Sequence, residues 1–155
     1  PPFSSIIKPE NIAIDELQPS KEAAIARAVE LICIGSSQEG EQEIDRQQLL
    51  HDTLERERLA PTGIGEAVAV PHALCKYIHR PKMSFLRLCQ GIDFEAVDNI
   101  PVRMIFLIVG PKNDYAGHLK LLSRLARLLN EKSFRERINT APRAQDVYDI
   151  LISLD

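Results

Sequence analysis

Pro61-Thr62-Gly63-Ile64-Gly65-Glu66-Ala67-Val68-Ala69-Val70-Pro71-His72 passes within twelve residues from turn chemistry through a short strand to a histidine fixed behind a proline. Ala67 to Val70 are small or β-branched, as a strand requires, and Pro71 has no N–H to give to a ladder, so the strand is expected to end at His72. A histidine placed directly after a strand and a proline sits on stiff backbone at the rim of a sheet, where α/β folds put ligand-binding groups. Its imidazole has a substantial neutral fraction near pH 7 and can accept a phosphoryl group without a metal. Gly63 and Gly65 remove side-chain bulk nearby, which lets a phosphate or a partner's backbone come close. On spacing alone, an ordinary loop histidine after an edge strand is an equally good reading.

Outward from this stretch the chain alternates strands and helices. Met83–Leu88 and Val102–Val109 read as strands joined by turn residues Asp98 and Asn99 next to Pro101. The unbroken apolar run Met104–Val109 is expected of a central strand covered on both faces. Ser20 can cap a first helix carrying Ile25, Ala28, Val29 and Ile32 and ending at Gly35, while Asp45 and Gln48 form a capping box for a second that ends near Arg58. His118 opens a third with Leu121, Leu122, Leu125, Leu128 and Leu129 on one side. Ser133 with Glu136 can cap a short fourth, and Pro142 precedes a last amphipathic helix. The pattern predicts an α/β fold, a mixed sheet flanked by helices, formed by a single domain over residues 1–155 with a surface loop at about 35–44.

Composition limits the function. Hydrophobic residues make up 45% and charged residues 26%, enough to bury a core. A net charge of -3 gives no basic footprint for tracking nucleic acid. Cys33, Cys75 and Cys89 are odd in number and lack CxxC spacing, which favours a reducing cytoplasm over a disulfide framework. No stretch approaches a membrane span, so a soluble chain without direct membrane insertion is expected. The chain starts without Met, as a processed protein or a domain excised from a longer one would.

The segment Pro61 to His72 resembles the active-site signature of the enzyme IIA domains of the fructose, mannitol and nitrogen-regulatory branches of the bacterial phosphoenolpyruvate-dependent phosphotransferase system. Leu54-Glu55-Arg56-Glu57-Arg58-Leu59 resembles the helix end that supplies an arginine in that family, and His118-Leu119-Lys120-Leu121-Leu122 resembles its second-histidine helix. Order and spacing agree, with Arg56 16 residues before His72 and His118 46 residues after it. Glu66 and Ala67 depart from the Asn-Gly common in the nitrogen and fructose branches, glutamate there being reminiscent of mannitol-type members.

The resemblance implies the enzyme IIA fructose/mannitol-type fold and a phosphocarrier in which His72 is phosphorylated, with no cofactor and no metal. Arg56 suits the phosphoryl oxygens because a guanidinium offers two parallel donors; outside the motif it reads as a helix-end arginine serving the dipole. His118 would donate from a ring nitrogen beside free helix N-terminal amides. The donor partner implied is HPr or its nitrogen-branch counterpart NPr. The recipient would be a cysteine of a IIB domain or, in a regulatory version, a transporter or kinase that reads the phosphorylation state. Ile64, Val70 and Leu74 are candidates for a docking rim. His51 and His79 read as solvated, Cys33 and Cys89 as core residues, and Cys75 as close to the site without nucleophilic activation.

Overall fold

Val102–Pro111, the apolar run with Pro111 at its end, forms strand β6, and the remaining strands are arranged about it. The computed structural model describes residues 1–35 and 43–155. On one side β6 pairs antiparallel with β5 (Lys82–Ile92), which pairs parallel with β1 (Ile12–Glu16). On the other side β6 pairs parallel with β3 (Val68–Ala69) and β4 (His72–Cys75), and β2 (Gly63–Gly65) closes the edge antiparallel to β3. The sheet is therefore mixed.

Side chains alternate along β6, and the alternation divides the core into two layers. Met104, Phe106 and Ile108 pack under α3 (Tyr115–Leu129), α4 (Lys132–Thr140) and α5 (Ala144–Ile152). Ile105, Leu107 and Val109 pack under α1 (Lys21–Cys33) and α2 (Arg46–Leu59). Helices on both faces explain why this strand carries no polar alternation.

Helix α1 starts as expected, with Ser20 accepting a hydrogen bond from the Ala23 amide at 3.1 Å, and Gly35 follows its end at φ 73. At α2, Asp45 accepts from the Gln48 amide at 3.2 Å, but the Gln48 side chain turns forward to Asp52 at 3.0 Å. Only half of the expected box forms, because a carboxylate one turn on competes for the amide group.

Other expectations need correction. The strand expected over Ala67 to His72 is two strands: Glu66 and Ala67 form a turn with φ 57 and 65, β3 follows, and β4 begins at His72 after the break at Val70-Pro71. β1 and β2 escaped the sequence reading. The first is five residues with Asp15 at φ 58 and a register shift, and the second is Gly-Ile-Gly, which reads as a turn. Ser133 does not cap α4; Glu131 holds the N-cap position without a side-chain bond. Cys89 is exposed, since β5 shifts register after Arg87 and leaves the core. The loop expected at 35–44 falls, from 36 to 42, outside the described residues.

Candidate active site

His72 opens β4 beside Ile108 of β6, so its backbone belongs to the sheet while its half-buried side chain stands at the rim. Its Nδ1 lies 2.9 Å from the Val70 carbonyl oxygen. A carbonyl can only accept, so Nδ1 carries the hydrogen and donates it; the lone pair of the neutral ring is then on Nε2. Burial lowers the affinity of His72 for a second proton, opposed by the Val70 bond and reinforced by the positive field of Arg56. The ring is therefore kept neutral and single-tautomer, the state a nucleophile needs.

His118 approaches from α3. Its ring centroid is 5.5 Å from that of His72, and the two planes are tilted by 53°. A Cβ built on Gly110 would touch His118 Nδ1 at 3.4 Å, so the ring lies directly against the end of β6. Burial, with smaller contributions from His72 and Arg56, pushes its pKa down to about 4. His118 Nε2 is buried with no hydrogen-bond partner among the described residues. A buried polar nitrogen in that condition is uncommon and leaves the His118 ring without a bond that would hold it in one orientation.

His118 does not start its helix beside free amides, as the sequence led us to expect. The helix begins at Tyr115 on an Asp114 N-cap, whose carboxylate accepts from the Gly117 amide at 3.0 Å. The His118 amide already donates to the Asp114 carbonyl at 3.2 Å. What reaches the site is the His118 ring, one turn inside the helix.

Arg56 comes from the last turn of α2, with Nη1 donating to the Ala60 carbonyl at 3.1 Å. Among the described residues it makes no ion pair, and its positive charge is felt at both histidines. Arg56, His72 and His118 line one cleft of about 970 Å³ together with Leu74, Cys75 and Tyr115. The acids at its edge are engaged elsewhere: Asp52 accepts from the Tyr77 hydroxyl at 2.8 Å, and Glu55 pairs with Arg58. An uncompensated guanidinium beside two neutral imidazoles, each with one N–H and one lone-pair nitrogen, suits a tetrahedral anion.

Of the docking candidates, Leu74 lines the cleft, Val70 is buried, and Ile64 is exposed on β2 away from it. The exposed apolar rim consists instead of Leu59, Tyr115 and Leu119. His51 and His79 are exposed and outside the cleft, and burial pushes the Cys75 thiol up in pKa. Glu57 escaped the sequence reading, although it follows Arg56 directly. It belongs to the buried stripe Leu49, Thr53, Glu57, spaced by four, and a glutamate on such a stripe is itself a signal.

The family model of the phosphoenolpyruvate-dependent sugar phosphotransferase system, EIIA 2, matches residues 5–153. The fructose-specific EIIA component of Haloferax volcanii is 34% identical over 149 residues, 96% of this chain and 94% of that one. A nitrogen regulatory protein of Pseudomonas aeruginosa is 32% identical over 112 residues, 72% of this chain and 73% of that one. The crystal structure of nitrogen regulatory protein IIA-Ntr from Neisseria meningitidis superimposes with a TM-score of 0.86 at 31% identity, over 95% of this chain and 97% of that one.

Proposed function

This chain belongs to the EIIA 2 family of the phosphoenolpyruvate-dependent sugar phosphotransferase system, and from that premise we propose that His72 carries its phosphoryl group on Nε2. The observation that carries the assignment is the Nδ1 to Val70 bond, which leaves the Nε2 lone pair facing the cleft shared with Arg56 and His118. The donor is a small phosphohistidine protein, HPr or its nitrogen-branch counterpart. Nε2 attacks phosphorus as the bond to the donor's ring nitrogen breaks, and the hydrogen stays on Nδ1, donated to the Val70 carbonyl. Charge spreads over the phosphoryl oxygens in transit. Arg56 takes part of it through paired N–H donors, and neutral His118 supplies one N–H from its buried ring.

Leu59, Tyr115 and Leu119 offer an apolar rim of the small size that transient relay partners use. The phosphoryl group then passes to a cysteine of a IIB domain. A regulatory outcome is supported by the similarity to nitrogen regulatory proteins: roughly two negative charges added at His72 alter the potential of the rim and so its affinity for a transporter or kinase. Residues 1–155 act in this reading as one domain, in the reducing cytoplasm that its three cysteines without paired spacing suit.

Incubation with phosphoenolpyruvate, enzyme I and HPr, followed over time by mass spectrometry, tests the assignment. The chain is expected to gain one acid-labile phosphate. His72→Ala gains none, and Arg56→Lys and His118→Ala slow uptake by about 100- to 1000-fold. An unmodified wild type, or a phosphorylated His72→Ala, contradicts it.

A further inference from the structure

Glu57 is 4% exposed, and its ion pair with Lys21, at 2.8 Å, lies between α1 and α2 with the Lys21 ammonium 5.2 Å from the centre of the Phe94 ring. Replacing such a pair by apolar side chains of similar volume is generally neutral or stabilising, so stability alone is a weak reason for it. The carboxylate does more than pair. It accepts from the Thr62 amide at 2.8 Å and from the Thr62 hydroxyl. The Thr62 carbonyl accepts from the Val70 amide at 3.0 Å, and the Val70 carbonyl accepts from His72 Nδ1 at 2.9 Å. Three successive hydrogen bonds thus join a buried carboxylate to the imidazole.

We propose that Glu57, held by Lys21, is a positioning residue that fixes the tautomer and orientation of His72 through Thr62 and Val70 and registers Arg56 against it. Successive helix residues are separated by 100°, so with Glu57 turned to the core its neighbour Arg56 is turned to the cleft. One carboxylate therefore fastens both the helix end that bears the guanidinium and the loop that leads to the imidazole. Val70 lies between β3 and β4, outside both strands, and Pro71 has no amide hydrogen, so the bond from the Val70 amide to Thr62 tethers the segment just before His72. The charge of Glu57 also reaches His72, where it works against the effect of burial.

This inference rests on His72 being the phosphoryl acceptor, and its test separates the two. Ring 15N spectra of the unphosphorylated chain report the His72 tautomer without any transfer, and phosphate uptake from HPr is timed alongside. Lys21→Met/Glu57→Met removes the acceptors while replacing the pair by apolar groups of similar length. It is expected to fold but to melt below the wild type, because the buried Thr62 amide and hydroxyl lose their acceptor, to populate both His72 tautomers and to take up phosphate about 10- to 100-fold more slowly, the usual effect of losing the partner that orients a working histidine. Glu57→Gln restores one tautomer and near wild-type uptake, because its amide oxygen can accept from the Thr62 amide and Lys21 while its NH2 donates to the Thr62 hydroxyl. A folded double variant with the wild-type tautomer and rate overturns the proposal. If that variant does not fold, Thr62→Ala decides: a shifted tautomer with uptake slowed about fivefold supports it, and wild-type behaviour overturns it. A wild type that takes up no phosphate defeats the acceptor assignment, while the tautomer comparison still judges Glu57.

Discussion

His118 carries an imidazole that stays neutral down to about pH 4, because burial, His72 and Arg56 all oppose the added proton. In the unfolded chain the same ring protonates near pH 6.5. Between these values the unfolded state binds more protons, so stability is fully present above pH 6.5 and declines as the pH falls toward 4, by up to about 3 kcal/mol from this ring alone. Urea midpoints of His118→Gln measured from pH 7 to pH 4 are therefore expected to fall less steeply than those of the wild type; parallel declines would remove His118 from the balance. A second residue-scale expectation concerns Ala67, whose φ of 65 puts a Cβ in the left-handed region. Ala67→Gly relieves that strain at some cost in unfolded-chain entropy and is expected to stabilise by about 0.5–1 kcal/mol in thermal melts. His72, Arg56 and His118 could be singled out from the sequence because their chemistry is written in residue type and spacing. The place of Glu57 on the stripe of Leu49 and Thr53 marks it as buried, but its role is not written there, because Lys21 reaches it from another helix and Thr62 from beyond the end of its own.

At the scale of the element, α3 delivers His118 and its first turn determines where the ring goes. Asp114 caps the turn at the Gly117 amide, and a Cβ added to Gly117 would meet Asp114 Oδ2 at 2.3 Å. Asp114→Ala is expected to cost about 1 kcal/mol. Gly117→Ala gains helix propensity but collides with the cap, so its stabilising effect of about 1 kcal/mol appears only in the Asp114→Ala background. A double-mutant cycle in thermal unfolding measures this coupling, and additive effects would show that the cap does not exclude a side chain there. Helices with apolar faces and real caps, α1 above all, were legible in the sequence. β1 and β2 were not, since a five-residue edge strand and a Gly-Ile-Gly strand owe their conformation to β5 and β3 rather than to local preference. The start of α3 was misread for a related reason: Asp114, not the apolar run, decides where the helix begins.

Across the whole molecule, β6 supplies both core layers with alternate side chains and, one residue before its end, brings Gly110 against the His118 ring. The cleft forms where β4 enters the sheet beside this end and where α2 and α3 converge. The α/β class was readable because Met104–Val109 is apolar on both faces. The parallel placement of β3 and β4 beside β6 was not, since strand pairing over more than thirty residues leaves no local trace. What this architecture produces is a His72 ring whose Nδ1 is engaged by Val70, in one cleft with the Arg56 guanidinium and the His118 ring. The most direct measurement is a combined ring 15N and 31P spectrum of the chain after transfer from phosphoenolpyruvate through enzyme I and HPr. A single phosphorus bonded to Nε2 of His72 with Nδ1 still protonated is expected; phosphorus on Nδ1 of His72, or on His51, His79 or His118, would contradict the assignment.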